Sequence, residues 1–192
     1  MTHSVVWFKR DLRIHDHLPL ARAAKRGAVT CVYFIEPELW RAPDAATQHY
    51  QFILESLRDL HKQLGTIGLK LNLLVGPAAQ CLDRIAQIQP FDQLYSHEET
   101  GNDLTYARDK AVARWCRDHG VIWQQHPQFG VHRGPHNRDH WKAGWQQFCG
   151  APQTPAPQQV QVSAVSLIET PPTPSQLGLT EPDRPERQLG GR

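Results

Sequence analysis

The charged residues that follow the first apolar stretch are the earliest in the chain that could do chemistry. The stretch "VVWF" at 5–8 runs directly into Lys9, Arg10, Asp11 and Arg13. Such a pattern is either a ligand-binding loop or a surface cluster of ion pairs. On charge pattern alone the surface cluster is favoured, because exposed ion pairs are common and contribute under about 1 kcal/mol each.

Several common ligand-binding loops are absent from this position. No G-x-G-x-x-G follows the apolar stretch, so the backbone could not approach a pyrophosphate as it does in dinucleotide-binding proteins. No G-x-x-x-x-G-K-[ST] occurs, which excludes a P-loop, and the hydroxyl- and glycine-rich turn of flavodoxin-type proteins is missing. A ligand at this loop must therefore be held by side chains and not by a bare backbone nest.

The elements that position these residues alternate between strand and helix signals. Strands are predicted at 4–8, 28–35, 69–75, 92–96 and 121–123, and a helical pattern follows each of the first four. Parallel neighbours need crossover connections, so this alternation predicts an α/β fold with a doubly wound five-stranded parallel sheet. Ligands of such sheets bind beyond the carboxyl ends of the strands, which places the loops at 9–13, 36–40 and 96–101 on the functional edge.

Two local patterns refine this prediction. In "LKLNLLV" at 69–75, leucines alternate with Lys70 and Asn72, which predicts a strand at the edge of the sheet with one face in water. Thr100 with Asp103 predicts a capping box at the start of the following helix.

The chain changes composition after Phe148, its last aromatic residue. Residues 150–192 contain eight prolines and few apolar residues, so we expect a linker or disordered tail that buries too little surface to offset its ordering entropy. The predicted divisions are an α/β domain at 1–135, a trailing helix at 136–149 and the proline-rich tail at 150–192. Trp141, Trp145 and Phe148 share one face of the trailing helix, which predicts packing against the sheet or against another domain. The chain is expected to stop where that domain would begin.

Composition argues against several other classes of protein. A net charge of +2 gives no strong field for nonspecific binding of nucleic acid. The four cysteines form no C-x-x-C, which favours reduced core thiols over disulfides or a zinc site. The N-terminal apolar run is too short for a signal peptide or a membrane span, so we expect a cytoplasmic protein without membrane contact.

A second candidate for chemistry is a histidine series at four-residue spacing. His132, His136 and His140 would align on a helix as metal ligands. Gly134-Pro135 interrupts any helix between the first two, so no metal is expected there.

The order of residues around the charged loop resembles a known family. "VVWFKRDLRIHDHLPLARAA" is similar to the opening of the photolyase and cryptochrome family, whose first strand ends in W-F-R-R-D-L-R, with Lys9 replacing the first arginine and His17 the usual asparagine. "LYSHEETGNDLTYARDKAVARWCRDHGV" resembles the fourth strand and following helix of the family, and "QFGVHRGPHNRDHWKAGWQQF" resembles a closing W-x-x-x-W helix of a bacterial branch. Three motifs in the right order, within about 3–149, make the resemblance specific.

The resemblance implies a domain that in some members holds an antenna chromophore, which is a folate, a deazaflavin or a flavin, and passes excitation energy to FAD. Many other members of the family carry no antenna. Such pigments are flat and partly anionic, which suits an apolar crevice with a few fixed polar groups. The candidate contacts follow strands one, two and four: Lys9, Arg10, Asp11, Arg13, Ile35, Glu36, Ser96, His97, Glu98 and Glu99. Glu98 or Glu99 lies near the position where folate-binding members use a carboxylate. Alternatively, the charged residues at 10–13 dock this domain onto the FAD domain.

Family members bind FAD in a larger helical C-terminal domain, which also receives the flipped pyrimidine dimer of damaged DNA. Only "LGGR" at the end of the tail resembles the glycine-rich entry to that domain. The tail has no candidates for its FAD contacts, its electron-transfer tryptophans or its dimer pocket, so we expect that this chain alone is not catalytic and meets FAD and DNA only through such a partner domain. The first hypothesis is therefore the light-harvesting domain of a flavoprotein of blue-light-driven DNA repair or light sensing. The second is a freestanding nucleotide- or flavin-binding module of the same topology, and a product without function is a third.

Overall fold

A computed structural model describes residues 2–130, 141–180 and 186–191 of the chain. Its strands are β1 (His3–Phe8), β2 (Ala28–Ile35), β3 (Leu71–Val75), β4 (Gln93–His97) and β5 (Ile122–His126). Its helices are α1 (Leu18–Ala24), α2 (Pro37–Trp40), α3 (Thr47–Thr66), α4 (Ala78–Ile88), α5 (Asp103–Asp118) and α6 (Trp141–Gly150). All strand pairs are parallel and their order is β3-β2-β1-β4-β5, so the predicted α/β fold with a doubly wound five-stranded sheet is confirmed.

Alternate side chains of the central strand β1 enter two separate cores. Val6 and Phe8 pack into the core beneath α1 and α3, whereas Val5 and Trp7 pack into the core beneath α4 and α5. Successive side chains of a strand point to opposite faces of the sheet. A strand that is buried on both faces therefore needs a continuous apolar sequence, and the sequence of β1 has one. The winding direction reverses between β1 and β4, which places the charged loop after β1 at the switch point.

The start of α5 differs in detail from its prediction. Asn102 caps the helix, since its side-chain oxygen accepts a hydrogen bond from the Thr105 amide at 3.2 Å. The capping box predicted for Thr100 and Asp103 is therefore wrong, because Asp103 is already the first helical residue.

The edge position predicted for β3 is confirmed, but its predicted wet face is wrong. Asn72 is only 1% exposed. Its side chain donates to the Cys31 carbonyl at 3.1 Å and accepts from the Leu167 amide at 2.7 Å. The alternating polar residue thus forms hydrogen bonds with the backbones of β2 and of the tail and does not face solvent.

The tail lies along this edge of the sheet through backbone hydrogen bonds. The Val29 amide donates to the Gln161 carbonyl at 2.9 Å, and the Ser163 amide donates back to Val29 at 3.2 Å. Further along, the Leu73 amide donates to the Leu167 carbonyl at 2.9 Å. The tail therefore pairs with edge groups of β2 and β3 that would otherwise be open to another chain.

The tail also buries apolar side chains against the sheet and α3. Val160, Val165, Leu177 and Leu179 are each at most 8% exposed. The expectation that the tail buries too little surface to be ordered is wrong for this part, because its few apolar residues are spaced to reach both cores. A linker role and the predicted domain limits stay predictions.

The trailing helix is described from Trp141 onward, so its predicted start falls outside the described residues, as do His132, His136 and His140. Trp141 and Trp145 stack with ring centroids 6.3 Å apart and are both 45% exposed. The prediction that this face packs against the sheet is therefore wrong. Its packing against another domain stays a prediction. Within 2–130, 141–180 and 186–191, no helix combines the length and the apolar character that a membrane crossing requires.

Candidate functional site

A cavity of about 520 Å³ opens at the carboxyl end of the sheet, between the ends of β1 and β2, the short helix α2 and the first turns of α3 and α5. Six aromatic residues line its walls, and they are Trp7, Phe8, Tyr33, Phe34, Trp40 and Phe52. Charged side chains line the same space, and they are Lys9, Arg10, Glu36, Asp44, Glu99 and Arg108. The size lies within the range of small-molecule sites, and so does the mixture of apolar walls with a few polar groups.

Arg108 is the centre of the charged wall. Its Nη2 atom lies 2.6 Å from Glu99 Oε2 and 2.8 Å from Asp109 Oδ1, and its Nη1 atom lies 3.4 Å from Glu36 Oε2. Burial would lower the pKa of Arg108, but the surrounding carboxylates raise it above its usual range, so the guanidinium stays charged. One cation thus fixes three carboxylates from the loops after β2 and β4 and from α5.

The pKa values of Glu36 and Glu99 shift in opposite directions in this network. Burial raises the pKa of Glu36 to about 7, against the charge of Arg108 and a hydrogen bond from the Ala78 amide at 3.1 Å. Burial also acts on Glu99, yet Arg108 and the nearby Lys9 and Arg10 lower its pKa. Of these two carboxylates, Glu99 is therefore held in its ionised form, whereas Glu36 titrates near neutrality.

Arg10 extends the network to the mouth of the cavity. Its Nε donates to Glu99 Oε1 at 2.7 Å while 62% of its side chain is exposed. Its guanidinium is thus oriented by Glu99 and still accessible to a ligand or to a partner surface.

Lys9 and Arg108 both lie over the ring of Trp7. The Lys9 Nζ atom is 4.6 Å from the Trp7 ring centroid and 5.7 Å from that of Trp123, and Arg108 Cζ is 4.8 Å from the Trp7 centroid. Lys9 Nζ lies 3.7 Å from Asp109 Oδ2 and forms no hydrogen bond within the part of the chain that the structure describes. Burial lowers the pKa of Lys9 to about 8, and Asp109 opposes that shift.

Asp11, His17 and His97 form a second, fully buried cluster behind the charged loop. Asp11 Oδ1 accepts the Lys9 amide at 2.7 Å, and Oδ2 lies 2.8 Å from His17 Nε2 and 2.6 Å from His97 Nδ1. His17 Nδ1 accepts the Leu20 amide at 3.1 Å and so caps α1, which places the proton of the neutral ring on Nε2.

This proton assignment bears on whether the cluster could hold a metal. The three ligand atoms lie within 4.8 Å of one another. A metal ion would need the lone pair of His17 Nε2, but the tautomer that caps α1 has a proton there. The cluster is therefore a hydrogen-bonded clamp that orders the loop after β1.

The other predicted site residues lie at the same edge of the sheet but outside the cavity. The Arg13 guanidinium donates to the Asp16 carbonyl at 2.9 Å. Ile35 is a core residue, and Ser96 accepts a hydrogen bond from the Trp123 indole at 3.1 Å. Glu98 pairs through its amide with the His126 carbonyl at 2.7 Å, whereas Glu99 lines the cavity. Of the predicted contacts, Lys9, Arg10, Glu36 and Glu99 line it directly, and Asp11 and His97 belong to the buried clamp.

Among the residues of the site that were not predicted as such are Trp7, Trp40 and Arg108. One sequence signal could have pointed to Arg108. The buried stripe of α5 contains Thr105, Asp109, Val112 and Cys116, so a charged Asp109 lies where an apolar residue is expected. A buried carboxylate needs a cationic partner, and the adjacent Arg108 supplies it.

Comparison with known proteins shows which family the chain matches. The family model described as DNA photolyase matches residues 4–133, which is more than half of the chain. The cryptochrome DASH of Synechocystis sp. is 36% identical over 112 residues, which cover 55% of this chain and 23% of that protein. Cryptochrome-2 of Gallus gallus is 32% identical over 125 residues, which cover 62% of this chain and 20% of that protein. The chain thus spans about a fifth of the length of these relatives.

Solved structures share the same fold. The cryptochrome of Synechocystis sp. PCC6803 has a TM-score of 0.77 at 24% identity, covering 91% of this chain and 40% of that one. An archaeal photolyase from Sulfolobus tokodaii, solved with two FAD molecules that imply a novel light-harvesting cofactor, has a TM-score of 0.75 at 20% identity. That match covers 99% of this chain and 44% of the other, and identities this low show a common fold alone.

Proposed function

The chain belongs to the DNA photolyase family, and on that premise we propose that the cavity at the ends of β1 and β2 binds a flat antenna chromophore, a folate, a deazaflavin or a flavin. When bound, such a pigment absorbs near-ultraviolet or blue light and passes the excitation energy on. The single observation that carries the proposal is the aromatic cavity of about 520 Å³ with an ordered charged wall.

The residues of the cavity fit such a pigment. Trp40, Tyr33 and Phe52 offer apolar surface for a flat ring system, as ligand pockets commonly do. Arg10, held by Glu99, offers an exposed guanidinium for an anionic edge or a phosphate. Glu36 offers a carboxyl whose oxygens can accept a ring N–H or, when protonated, donate to a ring oxygen.

A flavin has additional support from the relatives. The Sulfolobus tokodaii photolyase shares this fold and was solved with two FAD molecules, which imply a novel light-harvesting cofactor. In this chain a flavin would place its ring against the aromatic wall and its phosphate toward Arg10.

The proposal extends to the partners of the domain. We infer that the excitation energy serves an FAD-binding helical domain, and that damaged DNA is met only through that domain. The charged loop after β1 supports a docking role as well, because Arg13 and Arg10 both reach the edge of the domain with part of their side chains exposed.

A freestanding nucleotide-binding module is the second candidate, and the family match does not favour it. The two functions differ in their ligand. An antenna domain binds a coloured pigment, whereas a nucleotide module binds ATP or AMP without colour.

The test is a binding panel with the purified protein. FMN, FAD, a 5-deazaflavin and methenyltetrahydrofolate are each titrated by difference absorption, with ATP and AMP followed by calorimetry. We expect one pigment to bind at one per chain with a shifted absorption band. Selective binding of ATP or AMP, with none of the four pigments bound, would contradict the proposal.

A further inference from the structure

Trp7 is the most enclosed tryptophan on the wall of the cavity, and two cations lie against it. Its side chain is 2% exposed, and the cationic groups of Lys9 and Arg108 lie 4.6 and 4.8 Å from its ring centroid. Their side chains are only 5% and 10% exposed, so little water screens them. Two cationic groups thus lie directly against one indole, and the carboxylates that pair with them belong to Glu36, Glu99 and Asp109.

Positive charge on an indole ring changes how easily the ring loses an electron. A cation over a neutral ring is attracted to its negative face. Once the ring has lost an electron it is itself cationic, and the attraction becomes a repulsion that a buried site strengthens. Lys9 and Arg108 therefore make Trp7 harder to oxidise.

The oxidation of Trp7 matters because a tryptophan beside an excited pigment is an electron donor. In that step Trp7 would lose one electron and the excited pigment would gain it, with no bond formed or broken. The excitation energy would be lost as heat when the electron returned. An antenna site needs this step to be slow.

We propose that Lys9 and Arg108 protect the excited state of a pigment in the cavity by suppressing electron transfer from Trp7. This inference rests on the proposed pigment-binding function and assigns a role to a lysine that stands where the family pattern has arginine. The buried Lys9 ammonium supports it, because that group lies over the ring without a hydrogen bond among the described residues. A purely structural cation would be expected to use its donors.

Trp40 provides an internal comparison. It lines the same cavity and packs edge-on against Tyr50 at 4.8 Å, and within the described residues no cation lies over its ring. Its own quenching would mask that of Trp7, so the test is made in a Trp40→Phe background.

The experiment measures the fluorescence lifetime of bound FMN, with a 5-deazaflavin as a second probe. In the Trp40→Phe protein, Lys9→Met is expected to shorten the lifetime about fivefold, and adding Trp7→Phe should restore it. Lys9→Arg keeps the charge and should leave the lifetime unchanged. Lys110→Met is the matched control, because Lys110 lies 4.5 Å over the exposed ring of Tyr106, away from the cavity. Arg108→Gln gives the same test if Lys9→Met does not fold.

A pigment-free readout separates this inference from the proposed function. The unloaded proteins are exposed to azide radicals, and oxidation of Trp7 is quantified by peptide mass spectrometry. Loss of the Lys9 charge should increase that oxidation several-fold, whether or not a pigment binds. An unchanged lifetime with FMN bound, or unchanged oxidation of Trp7 in a folded Lys9→Met protein, would overturn the inference. Absence of pigment binding in every variant would contradict the proposed function alone.

Discussion

Replacing Asp11 by asparagine is expected to destabilise the fold strongly, because three donors converge on this carboxylate. In the native protein it accepts the Lys9 amide at 2.7 Å and His97 Nδ1 at 2.6 Å, and its Oδ2 atom lies 2.8 Å from His17 Nε2. Asparagine keeps one oxygen for the Lys9 amide but turns its NH₂ group toward the two histidines. The change is nearly isosteric, so it tests hydrogen bonding and charge with little change in packing.

The two histidines differ in how they can respond. His97 can move its proton to Nε2 and accept from the new amide. His17 cannot, because its Nδ1 already accepts the Leu20 amide and its proton must stay on Nε2. One donor then faces another in a fully buried site, and the charge-assisted bonds are lost. We expect a loss of about 3 kcal/mol in the free energy of unfolding.

Urea denaturation followed by circular dichroism measures this loss. Asp118→Asn is the matched control, since Asp118 is exposed at the end of α5 and should change the free energy of unfolding by less than about 0.5 kcal/mol. A loss below about 1 kcal/mol for Asp11→Asn would refute the assigned tautomer and the clamp that depends on it.

Three further predictions concern protonation and the tail. Burial lowers the pKa of His126 to about 4, so the unfolded chain binds a proton that the folded chain lacks between about pH 6.5 and 4. Stability should therefore be full above that window and fall as the pH drops through it, and His126→Gln should flatten the fall in urea titrations at several pH values. Burial raises the pKa of Glu36 to about 7, so carbon-13 NMR of its carboxyl should show a midpoint near 7, and a midpoint near 4 would be contrary to the network described. Leu177→Ala should cost about 2–5 kcal/mol of unfolding free energy if the tail is packed, whereas Leu189→Ala, at a 68% exposed residue, should cost almost nothing. Equal effects of the two substitutions would contradict the packed tail.

The strands were predictable because their signals are local. Residues 28–35 form a continuous apolar and β-branched run, and the structure places β2 over the same eight residues. The short helix α2 was not predicted, since four residues starting at Pro37 carry no periodic pattern. The cap of α1 was missed for a related reason, because His17 caps through a side-chain geometry that its residue type alone does not indicate.

The site was predictable to the level of loops but not of side-chain contacts. The rule that ligands bind beyond the carboxyl ends of parallel strands selected the loops that contain Lys9, Glu36 and Glu99, and these three residues line the cavity. Which side chain turns toward the cavity depends on tertiary packing. For this reason the sequence could not show that Glu99 lines the cavity and Glu98 does not. The packing of the tail could not be predicted for the same reason. Its composition gives the number of its apolar residues but not that Val165 packs into the core.

The most direct test of the central claim compares pigment affinity in the native protein and in a variant with a filled cavity. Ala45 lines the cavity, so a phenyl ring in Ala45→Phe should occupy the space of the ligand, whereas Ala111→Phe adds the same ring on the exposed face of α5. Equilibrium dialysis with FMN and with a 5-deazaflavin gives the dissociation constants. We expect binding at one per chain that Ala45→Phe weakens at least about tenfold, about 1.4 kcal/mol, and that Ala111→Phe leaves unchanged. Equal affinity in all three proteins would place the pigment elsewhere and contradict the account.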